Sequence, residues 1–160
     1  MMARLADLPE RHGRYMDHAI GLCSSHPTRP FAAILVDRGR DQIVAEGHNR
    51  TDINPILHAE IDAINQFAIR AESSGWADLS LYSTAEPCPM CQAAIAFAGI
   101  GAVYFGVAIP WLAARGWRQI DISAQSVVDG APWCTTEITG GVREDACRAL
   151  FVAARPGSAN

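Results

Sequence analysis

Pro87-Cys88-Pro89-Met90-Cys91 is the stretch that most constrains how this chain can fold. Two cysteines three positions apart at the start of a helix lie on one face, where free N–H groups and the positive end of the helix dipole favour thiolates. They form half of a tetrahedral metal site. Any fold the chain adopts must therefore bring further ligands to this turn. His58, thirty residues earlier, supplies an imidazole, which leaves the fourth position of a Zn²⁺ open for water. Glu60, two residues beyond that histidine, is then the expected proton carrier.

Taken singly, these residues have other readings. A lone C-x-x-C is often a structural zinc half-site or a redox pair, and a lone histidine at a helix start is often a cap or a packed ring. A structural zinc would recruit a fourth Cys or His, yet neither Cys134 nor Cys147 has a partner at ligand spacing. Cys23 and Cys147 fit apolar helix faces and are expected in the core. The five cysteines are odd in number and scattered apart from the one pair, so metal use is favoured over a disulfide framework.

The expected order of elements starts with a helix near Leu8-Pro9-Glu10, capped by Asp7, whose inward face carries Tyr15, Ala19, Ile20, Leu22 and Cys23. Phe31 to Asp37 and Gln42 to Gly47 read as a hairpin about the polar Arg38-Gly39-Arg40-Asp41. A polar loop, His48 to Pro55, leads into a helix from His58 to Glu72 with Ile61, Ile64, Phe67 and Ala68 inward. Leu79 to Ser83 reads as a strand, Cys88 to Ala98 as a helix apolar almost all round, and Ala102 to Gly106 as another strand. Beyond Pro110 the expectation is a short helix near Trp111 to Arg115, a strand near Gln125 to Val128 and a last helix from Val142 to Ala154.

Alternation of strands and helices after a hairpin implies an α/β fold, with helices on both faces of one sheet and both halves of the site at strand-to-helix junctions. With 160 residues, 49% of them hydrophobic, the chain can bury one sizeable core. Residues 1–155 are expected to form a single domain, and 156–160 a frayed tail. No eighteen apolar residues run together and the first residues lack the apolar core of a signal peptide, so the expected compartment is the cytoplasm, with no membrane partner.

All 13 basic residues are arginine, which excludes a lysine nucleophile or Schiff base. Those arginines are dispersed and the net charge is −4, which disfavours a nucleic-acid partner.

His58-Ala59-Glu60 followed by Pro87-Cys88-x-x-Cys91 matches the H-x-E…P-C-x-x-C signature of zinc nucleobase deaminases. Together with the Gly47-His48-Asn49 turn, Glu86 before Pro87, and the strand from Ala102 to Gly106, the stretch resembles the cytidine deaminase-like superfamily, in its guanine deaminase and tRNA adenosine deaminase branch. The resemblance implies a three-layer α/β/α fold with a central mixed five-stranded sheet, one Zn²⁺ per subunit and a homodimer. It also implies a hydrolase acting on the C–N bond of a cyclic amidine, in purine metabolism. His58, Cys88 and Cys91 are the implied ligands and Glu60 the implied acid and base.

For the substrate, the resemblance implies a hydrogen bond from Asn49 to the base, and by position backbone groups of Ser83, Thr84 and Ala85, with Glu86, line the pocket. Asn49 also suits a plain turn after Gly47, and Glu86 also suits a helix N-terminus. Trp111, Trp117 and Trp133 are aromatic enough to stack on a heterocycle, though tryptophans more often serve the core or an interface. Relatives carry acids after the strand that ends at Gly106; here none occurs until Asp121.

Three readings follow. One is a deaminase of a free purine, nucleoside or related aminated heterocycle; the second is a tRNA adenosine-to-inosine deaminase; the third is a non-enzymatic, zinc-stabilised binding module.

Overall fold

The computed structural model of the chain describes residues 10–70 and 75–156. Its five strands are β1 (Ala32–Asp37), β2 (Gln42–His48), β3 (Leu79–Ala85), β4 (Ala102–Val107) and β5 (Glu137–Thr139), in the sheet order β2-β1-β3-β4-β5. The β1/β2 and β1/β3 pairs are antiparallel, whereas β3/β4 and β4/β5 are parallel, so the sheet is mixed. The helices are α1 (Glu10–Leu22), α2 (Ala59–Arg70), α3 (Pro89–Ala98), α4 (Ile109–Ala113), α5 (Ala124–Asp129) and α6 (Glu144–Ala154).

Strand periodicity divides the core between the two faces of this sheet. On β1, Ala33 and Leu35 pack with Ala59, Ala63 and Phe67 of α2 and Ile95 of α3, while Ile34 and Val36 pack with Met16 and Ala19 of α1 and Phe151 of α6. This is the expected three-layer α/β/α arrangement. The cap at Asp7 and the tail at 157–160 lie outside the described residues. Among those described, no helix is long and apolar enough to cross a membrane.

Several expectations are corrected. The segment from Gln125 to Val128 is helical: the Ser123 hydroxyl accepts the Ser126 N–H at 3.0 Å, a cap that outweighs the strand preference of Val127 and Val128. The fifth strand is instead Glu137–Thr139, tied to the sheet by Glu137 N–H to Gly101 O at 3.0 Å. Helix α3 is buried or half-buried along its length, as its apolar sequence implies, with the one exception of Phe97, which is 81% exposed.

The inward face of α2 is also rotated from the expected one. It carries Ala59, Glu60, Asp62, Ala63 and Phe67, while Ala68 is exposed. The cause is the close approach of β2, where a Cβ on Gly47 would overlap the Ala59 carbonyl and the Ala63 amide and methyl. Only small residues fit opposite that glycine. Gly47→Ala is therefore expected to destabilise the protein by about 3 kcal/mol, read as a lower urea midpoint. An unchanged midpoint would show that α2 does not sit this close.

Candidate metal centre

The C-terminal ends of the parallel strands β3 and β4 open onto the site. After β3 the chain runs through Glu86 and Pro87 to Cys88, the N-cap of α3, and Pro89 takes the first helical position, where its missing N–H costs nothing. The Gln92 N–H bonds to Cys88 O at 2.8 Å, which closes the first turn and sets Cys91 beside Cys88.

His58 arrives from the other side as the residue just before α2, its carbonyl accepting the Asp62 N–H at 2.9 Å. The His58 Nδ1, Cys88 Sγ and Cys91 Sγ atoms lie 3.5 Å from one another in all three pairs. A tetrahedral ion with Zn–S near 2.3 Å and Zn–N near 2.0 Å separates its ligand atoms by roughly 3.5–3.8 Å. The donor set and its spacing therefore fit zinc.

Electrostatics agree with that geometry. The Cys91 thiol and the His58 ring hold Cys88 down to about 4, against the opposing effect of burial, a shift that favours the thiolate form a metal takes. The same sharing of a proton, together with burial, pushes Cys91 upward, and the hydrogen bond to Cys88 raises His58.

Glu60, 5% exposed, stands beside these ligands on the first turn of α2. Burial, with the nearby Cys88 charge, raises its carboxyl above the usual value, and the Ser83 hydroxyl opposes this by donating to Oε1 at 3.1 Å. The site thus holds a buried carboxyl that takes up a proton more readily than one in water.

The remaining expected residues divide. Ser83 contributes its hydroxyl to Glu60, a side-chain role that strand periodicity makes legible, since Ser83 follows Leu79 and Leu81 on the α2 face. Asn49 lies in the loop before His58, with its carboxamide oxygen accepting the Thr51 N–H at 3.2 Å and hydroxyl at 2.8 Å.

Thr84 turns to the opposite face, where its hydroxyl donates to Pro30 O at 2.8 Å and accepts the Ala32 N–H at 3.2 Å, and Ala85 is buried among apolar residues. The contribution expected of these two residues is from their backbone groups, and their side chains serve the packing of β3 instead. Both Glu86 carboxylate oxygens accept backbone N–H groups, from Ile109 at 2.8 Å and from Ala124 at 2.9 Å, which is the helix N-terminus role that the sequence also allows. Trp117 is a core residue edge-on to Phe31 and Phe151, Trp111 lies 3.7 Å beneath the Arg115 guanidinium, and Trp133 packs on Phe97. Each ring already has a partner.

Sequence reasoning passed over Asp62. This residue, 4% exposed, accepts the His48 N–H at 3.0 Å and pairs with Arg50 at 3.2 Å, so it grips the loop on both sides of Asn49. Its position four residues after His58, on the turn that carries Glu60, was the available signal. Asp62→Ala is expected to cost about 2 kcal/mol, because it strands the His48 N–H and frees the Asn49 loop. A denaturation midpoint equal to wild type would contradict this role.

Comparison with known proteins adds to this geometry. Residues 9–107 match the family model described as the cytidine and deoxycytidylate deaminase zinc-binding region. The tRNA-specific adenosine deaminase of Rickettsia felis is 39% identical over 79 residues, 48% of this chain and 55% of that protein. The guanine deaminase of Bacillus subtilis is 40% identical over 78 residues, 48% of this chain and 49% of that one. The chain thus spans about half the length of the curated relatives it matches. A solved guanine deaminase from Nitrosomonas europaea shares the fold, with a TM-score of 0.75 at 22% identity over 96% of this chain and 86% of that one. The family match contains the strands, the helices and all three ligand atoms that make the centre, and on that ground the chain belongs to the cytidine and deoxycytidylate deaminase zinc-binding family.

Proposed function

We propose that this chain is a zinc-dependent hydrolytic deaminase that releases ammonia from an aminated purine base, a nucleoside or a related heterocycle, in the manner of a guanine deaminase. The observation that carries this reading is the buried Glu60 carboxyl beside three ligand atoms spaced for one zinc ion. Zinc, when bound, supplies a Lewis acid that brings the pKa of water to roughly 7.

The residues of the chain do the rest. Glu60, held by Ser83, takes the proton of the attacking water and delivers it to the ring nitrogen beside the carbon that carries the amine. It then takes the second proton from the hydroxyl now on that carbon and passes it to the departing amine, so that water and the amino compound become the oxo compound and ammonia. Asn49, whose carboxamide oxygen is engaged by Thr51, offers its amide N–H group to an acceptor on the base. Helices α2 and α3, packed over the sheet, exclude bulk water from Glu60.

In this reading residues 1–155 form one deaminase unit that works as a homodimer in the cytoplasm. The exposed pair Phe97 and Trp133, with ring centroids 5.2 Å apart, supports a second copy as the cover of that surface, and five unpaired cysteines fit a reducing compartment. Light scattering that gives a monomer would refute the dimer.

The likeness to tRNA adenosine deaminases supports a second reading, in which the adenine is that of an anticodon stem-loop. One assay separates the two. Ammonia release is measured from guanine, adenine, cytosine, their nucleosides, pterins and aminotriazines, alongside inosine formation on an anticodon stem-loop. Turnover of a free heterocycle with inert RNA is the expected result. Turnover of the RNA alone would favour the second reading, and no turnover of anything would overturn both.

A further inference from the structure

We propose that Glu86 is a positioning residue that clamps the segment 109–124 onto the metal-bearing turn and thereby sets which heterocycle the site accepts. The inference rests on the deaminase reading above for its link to selectivity, and on the geometry alone for the clamp. Glu86 is 7% exposed and sits two residues before Cys88, joined to it by Pro87. Its backbone N–H extends the β3/β4 pairing by bonding to Val107 O at 2.8 Å, so the base of its side chain is held by the sheet.

From that base the carboxylate reaches two other parts of the chain. Oε2 accepts the Ile109 N–H, the first amide of α4, and Oε1 accepts the Ala124 N–H, the first amide of α5. Both helices are short, five and six residues, below the length at which a helix persists without tertiary support. The N-cap of α4, Ala108, has no side chain able to cap, and Ser123 spends its hydroxyl on Ser126 rather than on Ala124. A single negative group therefore satisfies the leading amides of two helices and complements both positive ends. The two helix starts are fixed against each other and against Cys88 through one side chain.

The consequence for the site follows from where the segment lies. It begins directly after β4, at the sheet end where α3 and its two thiols also begin, and α5 packs against α3. Its residues are thus the ones whose displacement alters the wall beside a bound heterocycle, while the zinc ligands, anchored in α2 and α3, stay in place. A misplacement of an ångström at such a wall is worth up to about 100-fold in turnover.

The test is Glu86→Gln, which keeps the volume but offers one oxygen and one N–H₂ to two N–H donors, so one arm of the clamp must break. Zinc content is expected to remain that of wild type. Amide exchange at Ile109 or Ala124 should speed up by roughly 10-fold or more. The ratio of kcat/KM for guanine over adenine should shift by roughly 10- to 100-fold, carried mainly by KM. A residue with only a structural role would lower the unfolding midpoint and leave that ratio unchanged, and this result would overturn the proposal.

Should the glutamine variant not fold, Ala124→Pro removes the second amide while leaving Glu86 and all three ligands intact. Proline suits the first position of α5, because Ser123 before it is extended at φ −70° and ψ 155°. The same shift in ratio is expected; an unchanged ratio, or failure of both variants to fold, would reduce Glu86 to a stability role and overturn the inference. If wild type turns over nothing, the deaminase reading fails on its own, and the exchange rates of Ile109 and Ala124 in the variant decide the clamp.

Discussion

Glu60→Gln is expected to yield a folded, zinc-loaded protein whose kcat is lower by roughly 10²- to 10⁴-fold, the usual contribution of a positioned acid or base. Glutamine has nearly the volume of glutamate, and its carboxamide oxygen can accept the Ser83 hydroxyl that now bonds to Oε1. Packing around the side chain, which is 5% exposed, should therefore hold. What disappears is the carboxyl to which the proposed mechanism assigns the proton transfers from water to the ring and the leaving amine. Because burial already raises the carboxyl of Glu60, exchanging it for a neutral amide removes a desolvation cost, so the unfolding midpoint should stay level or rise. Metal analysis, thermal unfolding and ammonia release on one preparation check all three. Residual activity above roughly a tenth of wild type would remove Glu60 from the proton path, and loss of zinc would make it a ligand.

Removal of the metal should have the second large effect. Chelation of the wild type is expected to abolish ammonia release and lower the unfolding temperature, since an ion bound only by the folded state, at a free concentration 1,000-fold above its dissociation constant, contributes about 4 kcal/mol. For a chain of this size that corresponds to roughly 10 °C. Adding zinc back should restore both. Cys91→Ser should start where the chelated protein ends and respond to neither treatment, because a hydroxyl replaces a thiolate in a soft donor set around a buried position. Cys23→Ser is the control: that thiol bonds to Ala19 O at the end of α1, outside the ligand cluster, and the variant should keep the full zinc response. A Cys91→Ser protein that still gained its stability from zinc would place the metal elsewhere.

The parts legible from sequence are those whose physics is local. Two residues between thiols at a helix start define a half-site wherever they occur, and a run such as Phe31 to Asp37 has few ways to exist except as a covered strand. Strands β1 to β4 accordingly fall within one or two residues of expectation. The inward face of α2 is not legible in this way, because Ile61, Ile64, Ala59 and Ala63 give two competing apolar stripes. The choice between them was made by Gly47, on a different element, whose bare backbone lets α2 approach closely and leaves room only for small residues opposite it. Likewise Val127-Val128 suggests a strand by propensity, and one hydroxyl at Ser123 turns it into a helix.

The sequence by itself determined the chemistry: one imidazole, two thiolates and a neighbouring carboxyl, ordered as H-x-E and P-C-x-x-C, together with the sheet-and-helix frame able to bring them together. Tertiary structure alone decided what each polar group beside them does. Glu86, 23 and 38 residues from its amide partners, became a clamp; Asp62 became the anchor of the Asn49 loop; Thr84 turned away from the site; and Trp117 went to the core. The physical reason is range. Helix and strand periodicity act over a few residues and are written in the chain, whereas the partner of a buried hydrogen-bonding group is chosen by whichever donor or acceptor the packed fold brings within about 3 Å.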